Sequence, residues 1–558
     1  MQAASLSYRA LSQRRRFALR QGWAFKLWLT IRVHIDAFLI DPFRYLTAWK
    51  WRILGKRVRA SGQFAALLAG SPRAYDFWIL ILDRSQSHAK VDRDVPIVAL
   101  VQDSDDHVAV DATLRSLAAS GIQSLVIGSC VKAILRRILG GADRQQERWI
   151  MLLQAGDLLS PRAAASYLAA IETVSASCTV IYADDDALDH SGRRTRPHLK
   201  PDWNSELQGH FDFVTGACIV RADAVDLADA DGTCDWTARM VSGAARRGTV
   251  SHIPKILHHR RARPLAPAKV DPVQVASHLP LVSVIIPTRN RVTLLRTCIT
   301  GLRATRYPGI EIIVANNDSD DPETLAYLGA LAEGGVTIVD QPGPFNYSAI
   351  NNNAVALARG ELICLMNNDI EVLSPDWLAI MATQAMRPEV GAVGAQLLYP
   401  DGRIQHAGVV IGVGNAAGHA HRFLRPEAEG YFRRHSLPQY VSAVTAACLV
   451  VRRDRFLAVG GLNASNFPVA FNDVDLCLKL NQRGWQSFYE PRAVLLHHES
   501  VSRGLDTDPV GAARFAGELA ALQRIWRTDE ITDPFHHPML SRASEQFALD
   551  LTPAAVPA

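Results

Sequence analysis

The chain has 558 residues, 48% of them apolar and 21% charged, with 60 Lys/Arg against 55 Asp/Glu. That composition excludes a disordered chain, and the length exceeds one ordinary core, so roughly three or four structural units are expected. The net charge of +5 is uneven: residues 1–60 hold 13 Lys/Arg and two Asp, a local +11, which leaves −6 for the remainder. Basic character thus belongs to the N-terminus alone, and no nucleic-acid partner is expected.

The first twenty residues carry arginines at 9, 14, 15, 16 and 20 and lack an uninterrupted apolar core, so they do not read as a signal peptide. No window reaches the ~18 apolar residues of a spanning helix. The eight cysteines are scattered singly, without a C-x-x-C pair or metal-ligand spacing, as expected of small buried residues in a reducing compartment. A cytoplasmic location follows. Residues 1–92 form a basic, Trp-rich helical segment in which Trp23, Trp28, Trp49 and Trp51 sit among cations. Two readings stay open for it: helices lying on an anionic membrane surface, or a helical hairpin packed on the rest of the protein.

From residue 93 to 262, short apolar runs alternate with helical stretches: "VPIVALVQ", "SLVIGS", "RWIMLLQ" and "CTVIYADDD". This grammar predicts a mostly parallel, helix-covered sheet. Residues 263–280, rich in Pro, Ala and Val, read as a linker. The grammar then restarts over 281–540 with "LVSVIIPTRN", "IEIIVANNDS", "VTIVDQPG" and "ELICLMNND", and residues 541–558 read as a tail. The two halves match in order, so the chain carries an internal duplication that suits two tandem domains.

In an open parallel sheet, ligands gather at the carboxyl ends of strands. The second half places Thr288-Arg289-Asn290, Asn316-Asn317-Asp318 and Asn367-Asn368-Asp369 directly after apolar strands. A carboxylate there, beside other oxygen ligands, suits Mg²⁺ or Mn²⁺ bridging phosphates, although an Asp capping a turn has the same signature. Downstream, "FNDVDLCLKLNQRGW" sets Asp473 and Asp475 at a helix start, and "AVLLHHESVSRG" sets His497 and His498 after another strand. Asp473 is a candidate general base, and either histidine is a candidate metal ligand.

These strings resemble the family 2 inverting glycosyltransferases with the GT-A fold, especially bacterial rhamnosyltransferase-like enzymes that build O-antigen and related surface polysaccharides. The motifs that carry the resemblance are "SVIIPTRNR", "EIIVANNDSDDPET", "GELICLMNNDIEVLSPDWL", "GAVGAQLLYPDGRIQHAGVVIG", "GHAHR", "SAVTAACLVVRR", "FNDVDLCLKL" and "LLHHESVSRG". The resemblance implies an α/β fold: two tandem GT-A, Rossmann-like, mostly parallel-sheet domains behind the basic helical segment. It implies that Thr288, Arg289, Asn316, Asn352, Asn368 and Arg503 hold the nucleotide and diphosphate, with Ser500 also near the latter. It further implies Asp369 and His497 as ligands of Mg²⁺ or Mn²⁺ and Asp473 as the catalytic base. The implied reaction moves a sugar, rhamnose by analogy, from a nucleoside-diphosphate donor to a glycan or lipid-linked glycan at the cytoplasmic face of the inner membrane.

The first half resembles the same family through "IYADDDALDHSGRRTRPHLKPDWNSEL" and "SHIPKILHHRRARP". Its opening strand, however, ends in Gln102-Asp103-Ser104, and its metal element is "LQAGD", leaving Asp157 alone. A degenerate GT-A-like domain is therefore expected. The alternatives are a bifunctional transferase with both domains active, and a catalytically weak membrane scaffold or glycan-binding protein of a polysaccharide assembly complex.

Overall fold

The computed structural model describes residues 23–82, 96–128, 131–139, 148–229, 235–498 and 509–551. At the N-terminal side, helices Trp23–Ile40, Pro42–Ile53 and Arg57–Ala69 fold back on one another. The break between the first two is written locally: Asp41 accepts from the Arg44 N–H at 2.9 Å, and Pro42 opens the second helix, where its missing N–H costs nothing. Leu29, Val33, Ala37, Ala48, Ala60 and Phe64 turn inward, and buried Asp36 ties the bundle to the chain that follows through Arg73 (2.7 Å) and Ser71 (2.6 Å).

The first sheet contains β1 (Ile97–Gln102), β2 (Gln123–Ile127), β3 (Trp149–Gln154), β4 (Leu158–Leu159), β5 (Cys178–Leu188), β6 (Arg194–His198), β7 (Cys218–Arg221) and β8 (Thr249–Arg260). Its order is β2-β1-β3-β7-β5-β8-β4, with β6 paired to β5. The second sheet starts with β9 (Val282–Thr288), β10 (Ile310–Asn316), β11 (Thr337–Asp340), β12 (Leu362–Met366), β13 (Ile370–Val372), β14 (Val390–Leu398) and β15 (Ile404–His406). A separate ribbon, β16 (Val409–Ile411) with β17 (Ala417–His419), precedes β18 (Gln439–Val441), β19 (Cys448–Arg452) and β20 (Gln486–His497). The second order is β11-β10-β9-β12-β19-β14-β20-β13.

With β11 set aside, the two orders coincide position by position, so the expected duplication is a duplication of topology. In each sheet one inner strand, β7 in the first and β19 in the second, runs against both of its neighbours, and β4 and β6 in the first and β13, β15 and β18 in the second also pair antiparallel. Each sheet is therefore mixed, with parallel pairing confined to β2-β1-β3 and β5-β8 and to β11-β10-β9-β12 and β14-β20. Strands such as β9 and β12 are buried along their whole length because helices cover both faces, which is why they read as unbroken apolar runs rather than alternating ones. No regular element forms between the end of β8 and the start of β9.

The two halves are joined through residues 199–204. The Asn204 side chain exchanges two hydrogen bonds with the Tyr440 backbone, at 2.9 and 3.2 Å. Asp202 N–H donates to the Pro534 carbonyl at 2.7 Å, and the Tyr431 hydroxyl bonds both the N–H and the carbonyl of Leu199 at 2.9 Å. Past helix Pro509–Trp526, the last described residues return to the first domain.

Candidate active site

At the carboxyl end of β12 the chain turns through Asn367-Asn368-Asp369 into β13, which pairs with β20 so that Ile370 faces His497. That register brings Asp369 and His497 together: His497 Nε2 lies 3.1 Å from Asp369 Oδ1, with both residues buried. On the other side of the ring, His497 Nδ1 is 2.8 Å from Gln405 Oε1, an arrangement that places a ring proton on Nδ1 and points Nε2 at the carboxylate. In the neutral ring that nitrogen would offer a lone pair beside a carboxylate oxygen, a donor set suited to a cation. An imidazole nitrogen and a carboxylate oxygen, with the Gln405 amide orienting the ring, would suit a divalent ion.

The amides around this pair are engaged with neighbouring strand ends. Asn368 donates to Thr288 Oγ1 at 2.9 Å, fixing β12 to β9, and Asn316 donates to Asp340 at 2.9 Å, fixing β10 to β11. Arg289 is exposed at the same rim. Beside it the backbone takes positive φ at Asn290 (54°), Arg291 (61°) and Asp318 (52°), so the loops after β9 and β10 bend sharply as soon as they leave the sheet. The Asn352 side chain exchanges hydrogen bonds with both backbone groups of Leu462, at 2.7 and 2.9 Å, and so locks helix Tyr347–Leu357 to the loop before the Asp473 helix. Ser500 and Arg503 lie outside the described residues.

Asp473 occupies the first turn of helix Asn472–Gln482. One carboxylate oxygen accepts from Ala446 N–H at 3.0 Å and the other from Val474 N–H at 2.9 Å. Burial raises its pKa above the ordinary carboxylate value, and these donors together with Thr445 only partly oppose the rise. The adjacent Ala447 carbonyl accepts from Asn367 N–H at 3.0 Å, so segment 445–447 joins the base helix to the β12 end. The Tyr347 hydroxyl, which donates to Ala446 O at 3.0 Å, has its pKa raised by burial and then by the charges of Asp473 and Asp369 among others. Segment 445–447 is thus bonded both to Asp473 and, through Asn367, to the strand end that carries Asp369. Asp475, by contrast, accepts from Trp526 Nε1 at 3.0 Å and pairs with Lys479 at 2.8 Å, which fastens the C-terminal helix. His498 turns to Glu371, 3.0 Å away.

Residues 283–456 match the model of the family described as Glycosyl transferase family 2. The N-acetylglucosaminyl-diphospho-decaprenol L-rhamnosyltransferase of Mycobacterium tuberculosis (strain CDC 1551 / Oshkosh) is 31% identical over 222 residues, covering 36% of this chain and 71% of that protein. The chain belongs to the family 2 glycosyltransferases. Two longer relatives extend the likeness into the first half. Protein y4gI of Sinorhizobium fredii is 36% identical over 515 residues, 84% of this chain and 56% of that protein. The O-antigen biosynthesis protein RfbC of Myxococcus xanthus is 33% identical over 435 residues, 70% of this chain and 34% of that protein. The chain thus spans about half and a third, respectively, of these two relatives.

The corresponding place in the first domain of this family 2 chain is filled from within. β4 pairs with β8 so that Leu158 faces His259, making Asp157 and His259 the counterparts of Asp369 and His497. Here the pair is separated: Asp157 accepts from the backbone N–H groups of Arg261 (2.9 Å) and Gln154 (3.2 Å), while His259 Nδ1 turns to Asp186 at 2.7 Å. Burial pushes the Asp157 carboxyl up to about 6, against the pull of Arg260 and the two N–H groups. The Arg261 side chain packs over Gly156 and reaches Asp106 at 2.6 Å, crossing the space between the strand ends. Where helix Asn472–Gln482 has Asp473 at its second position, helix Trp236–Arg247 has Thr237.

Three acidic residues in a row, Asp184, Asp185 and Asp186, are all buried in the first domain. Asp184, His252 and His537 bring possible ligand atoms within 4.8 Å of one another, but their donors are unsuited to a metal. His537 Nδ1 accepts from Met539 N–H at 3.0 Å, so the proton sits on Nε2, the nitrogen 2.8 Å from Asp184. His252 lies between Asp184 (3.1 Å) and Asp202 (3.0 Å); burial lowers its pKa, but the two carboxylates outweigh that and raise it, as for an imidazolium. Asp185 is neutralised by Lys200 and Arg263, each at 2.8 Å. The pairs of Asp184 and Asp185 with His252, Lys200 and Arg263 tie the first half together, and the His537 N–H donated to Asp184 fastens the C-terminal segment to it. Reading the sequence alone missed this arrangement, Gln405 and Glu518. Gln405 stood inside the quoted "GRIQHAG" stretch, while Glu518 sits in an ordinary helical pattern with no local signal.

Proposed function

We propose that the second domain is a metal-dependent inverting glycosyltransferase that uses a nucleoside-diphosphate sugar. The observation that supports this reading is the 3.1 Å juxtaposition of Asp369 and His497 at a strand end that shares segment 445–447 with Asp473. Asp369 and His497 would hold Mg²⁺ or Mn²⁺, whose chemistry there is to neutralise charge on the nucleoside diphosphate. Thr288, Asn316 and Asn368 hold the strand ends that frame the nucleotide, and exposed Arg289 is placed to meet its charge. Asp473 takes the proton from an acceptor hydroxyl as that oxygen attacks the anomeric carbon from the face opposite the diphosphate, giving inversion without a covalent enzyme intermediate.

A surface glycan, presented on a lipid carrier, is the acceptor in this reading, and rhamnose is the sugar. The names of the Myxococcus and Mycobacterium relatives support those two assignments. We infer that the first domain has kept the fold and lost transfer chemistry, because its metal pair is separated and Thr237 replaces the base.

Thermal shift with dTDP-, UDP- and GDP-sugars, with and without Mg²⁺ or Mn²⁺, tests the donor site. A metal-dependent rise for one donor in the wild type that is lost in Asp369→Ala is expected; a rise unaffected by Asp369→Ala overturns the metal assignment. Transfer should survive Asp157→Ala, and transfer lost in that variant but retained in Asp369→Ala would exchange the roles of the domains.

A further inference from the structure

The helices of residues 23–59 have two faces. Inward-facing residues form a small core, whereas the outward face of the first helix presents Leu27, Ile31, Ile35 and Leu39 at four-residue spacing. The second helix and the turn after it add Phe43, Leu46, Ile53 and Leu54, with Phe43 83% and Ile53 80% exposed. Isolated exposed apolar residues are ordinary on proteins; a contiguous pair of helical stripes is not. Around the second stripe stand Lys50, Arg52, Lys56, Arg57 and Arg59, all exposed. The two acids of this stretch are withdrawn from the face, Asp36 buried against Arg73 and Ser71, and Asp41 capping its helix.

We propose that this face docks in the plane of an anionic lipid bilayer, deepening the reading of an enzyme that acts on a lipid-carried acceptor and resting on it for the biological purpose alone. Two physical features select lipid over other occupants. No helix among the described residues is long and apolar enough to cross a membrane, so a bilayer would meet these stripes in its interfacial plane. The rim is cationic without a compensating acid, so a second copy of the chain meets like charge, as does the preceding segment 1–22 with its five arginines and no acid. Trp49, with Arg52 over its ring, and Trp51, with Lys56 and Arg59 over its ring, are the aromatic residues suited to the headgroup level.

The test sediments the full chain with vesicles of phosphatidylcholine alone or mixed with phosphatidylglycerol. The chain should pellet with the anionic vesicles, stay in solution with neutral ones, and be released by raised salt. Combining Leu39→Ser, Phe43→Ser and Ile53→Ser should weaken binding at least about tenfold, since every side chain involved is exposed and partitions by its apolar area. Combining Arg52→Glu with Lys56→Glu should cost about tenfold or more on anionic vesicles, because each cation near such a surface contributes about a fivefold factor. A wild type that stays in solution with anionic vesicles overturns the proposal, and so does a dimer seen by light scattering that the triple serine variant dissolves. The donor-induced thermal shift should be the same in both variants and the wild type. Loss of that shift in the wild type together with retained vesicle binding would defeat the enzymatic reading and leave the surface standing.

Discussion

An imidazole held by an amide on one side and facing a carboxylate on the other gives the site its chemistry at the scale of single residues. Because Gln405 sets the orientation and tautomer of His497, Gln405→Leu should weaken metal affinity about 10- to 100-fold while leaving Asp369 and His497 in place, as read by Mn²⁺ titration in the presence of the donor. Asp473→Asn should lower transfer by about 10²- to 10⁴-fold and leave the donor-induced thermal shift intact. The raised pKa of Asp473 sets the direction of the pH dependence. The base is ionised only above a value higher than the ordinary ~3.9 of an aspartate, so the acid limb of the kcat profile should fall at a pH above that value.

The base is only as well placed as the helix that carries it. Glu518, buried in helix Pro509–Trp526, accepts from the N–H groups of Val469 (2.7 Å) and Ala470 (2.9 Å), immediately before Phe471 turns into positive φ and the Asp473 helix begins. Glu518→Ala strands two buried donors, each worth about 1–3 kcal/mol, so Tm should fall. If Glu518 is a positioning residue, kcat should drop with donor KM unchanged, and Glu518→Gln, which keeps the accepting oxygen, should restore most of it. An unchanged kcat in Glu518→Ala would refute the positioning role. Much of this element scale was open to reading beforehand: β9, β10 and β12 announce themselves as apolar runs ending in polar triplets. Glu518 was not legible, because its partners lie 48 and 49 residues away and nothing in the helical pattern distinguishes it from a solvent-facing glutamate.

At the scale of the whole molecule, a buried cluster of ion pairs around Asp184 and Asp185 holds the first half and receives the His537 ring of the C-terminal segment through Asp184. The pKa of Asp184 is raised by burial but lowered more by His537 and His252, with a net fall; Asp185 is likewise lowered by Lys200, Arg260 and Arg263. A depressed carboxylate contributes stability above its unfolded value and loses it as pH falls through the folded value. The raised value of His252 works oppositely: its contribution is complete below the ordinary histidine value and is lost as pH rises through the folded one. Thermal stability should therefore decline on both the acid and the alkaline side, and the alkaline decline should flatten in His252→Gln. Removing Lys200 alone by Lys200→Met leaves Asp185 buried with less compensation and should cost about 3–5 kcal/mol, measured by urea denaturation.

The sequence by itself determined the elements, the duplication and the chemical types at the second domain's strand ends, because apolar periodicity and abrupt polar triplets are local signals. It named Asp369, His497 and Asp473 through the resemblance of the strings around them. Only the tertiary structure decided which of these meet. β13 and β20 come from positions more than a hundred residues apart, and their register puts His497 rather than His498 against Asp369. The same kind of pairing in the first domain places His259 opposite Leu158 and then turns its ring to Asp186, a choice made by the buried charges of β5. Asn352 shows the converse: its surrounding string marks it as a ligand of the diphosphate, while the fold satisfies both ends of its amide with the Leu462 backbone. The N-terminal helices divide in the same way. Their composition allowed both a membrane face and a packed hairpin, and the folded chain gives one side of each helix to the core and the other to the surface.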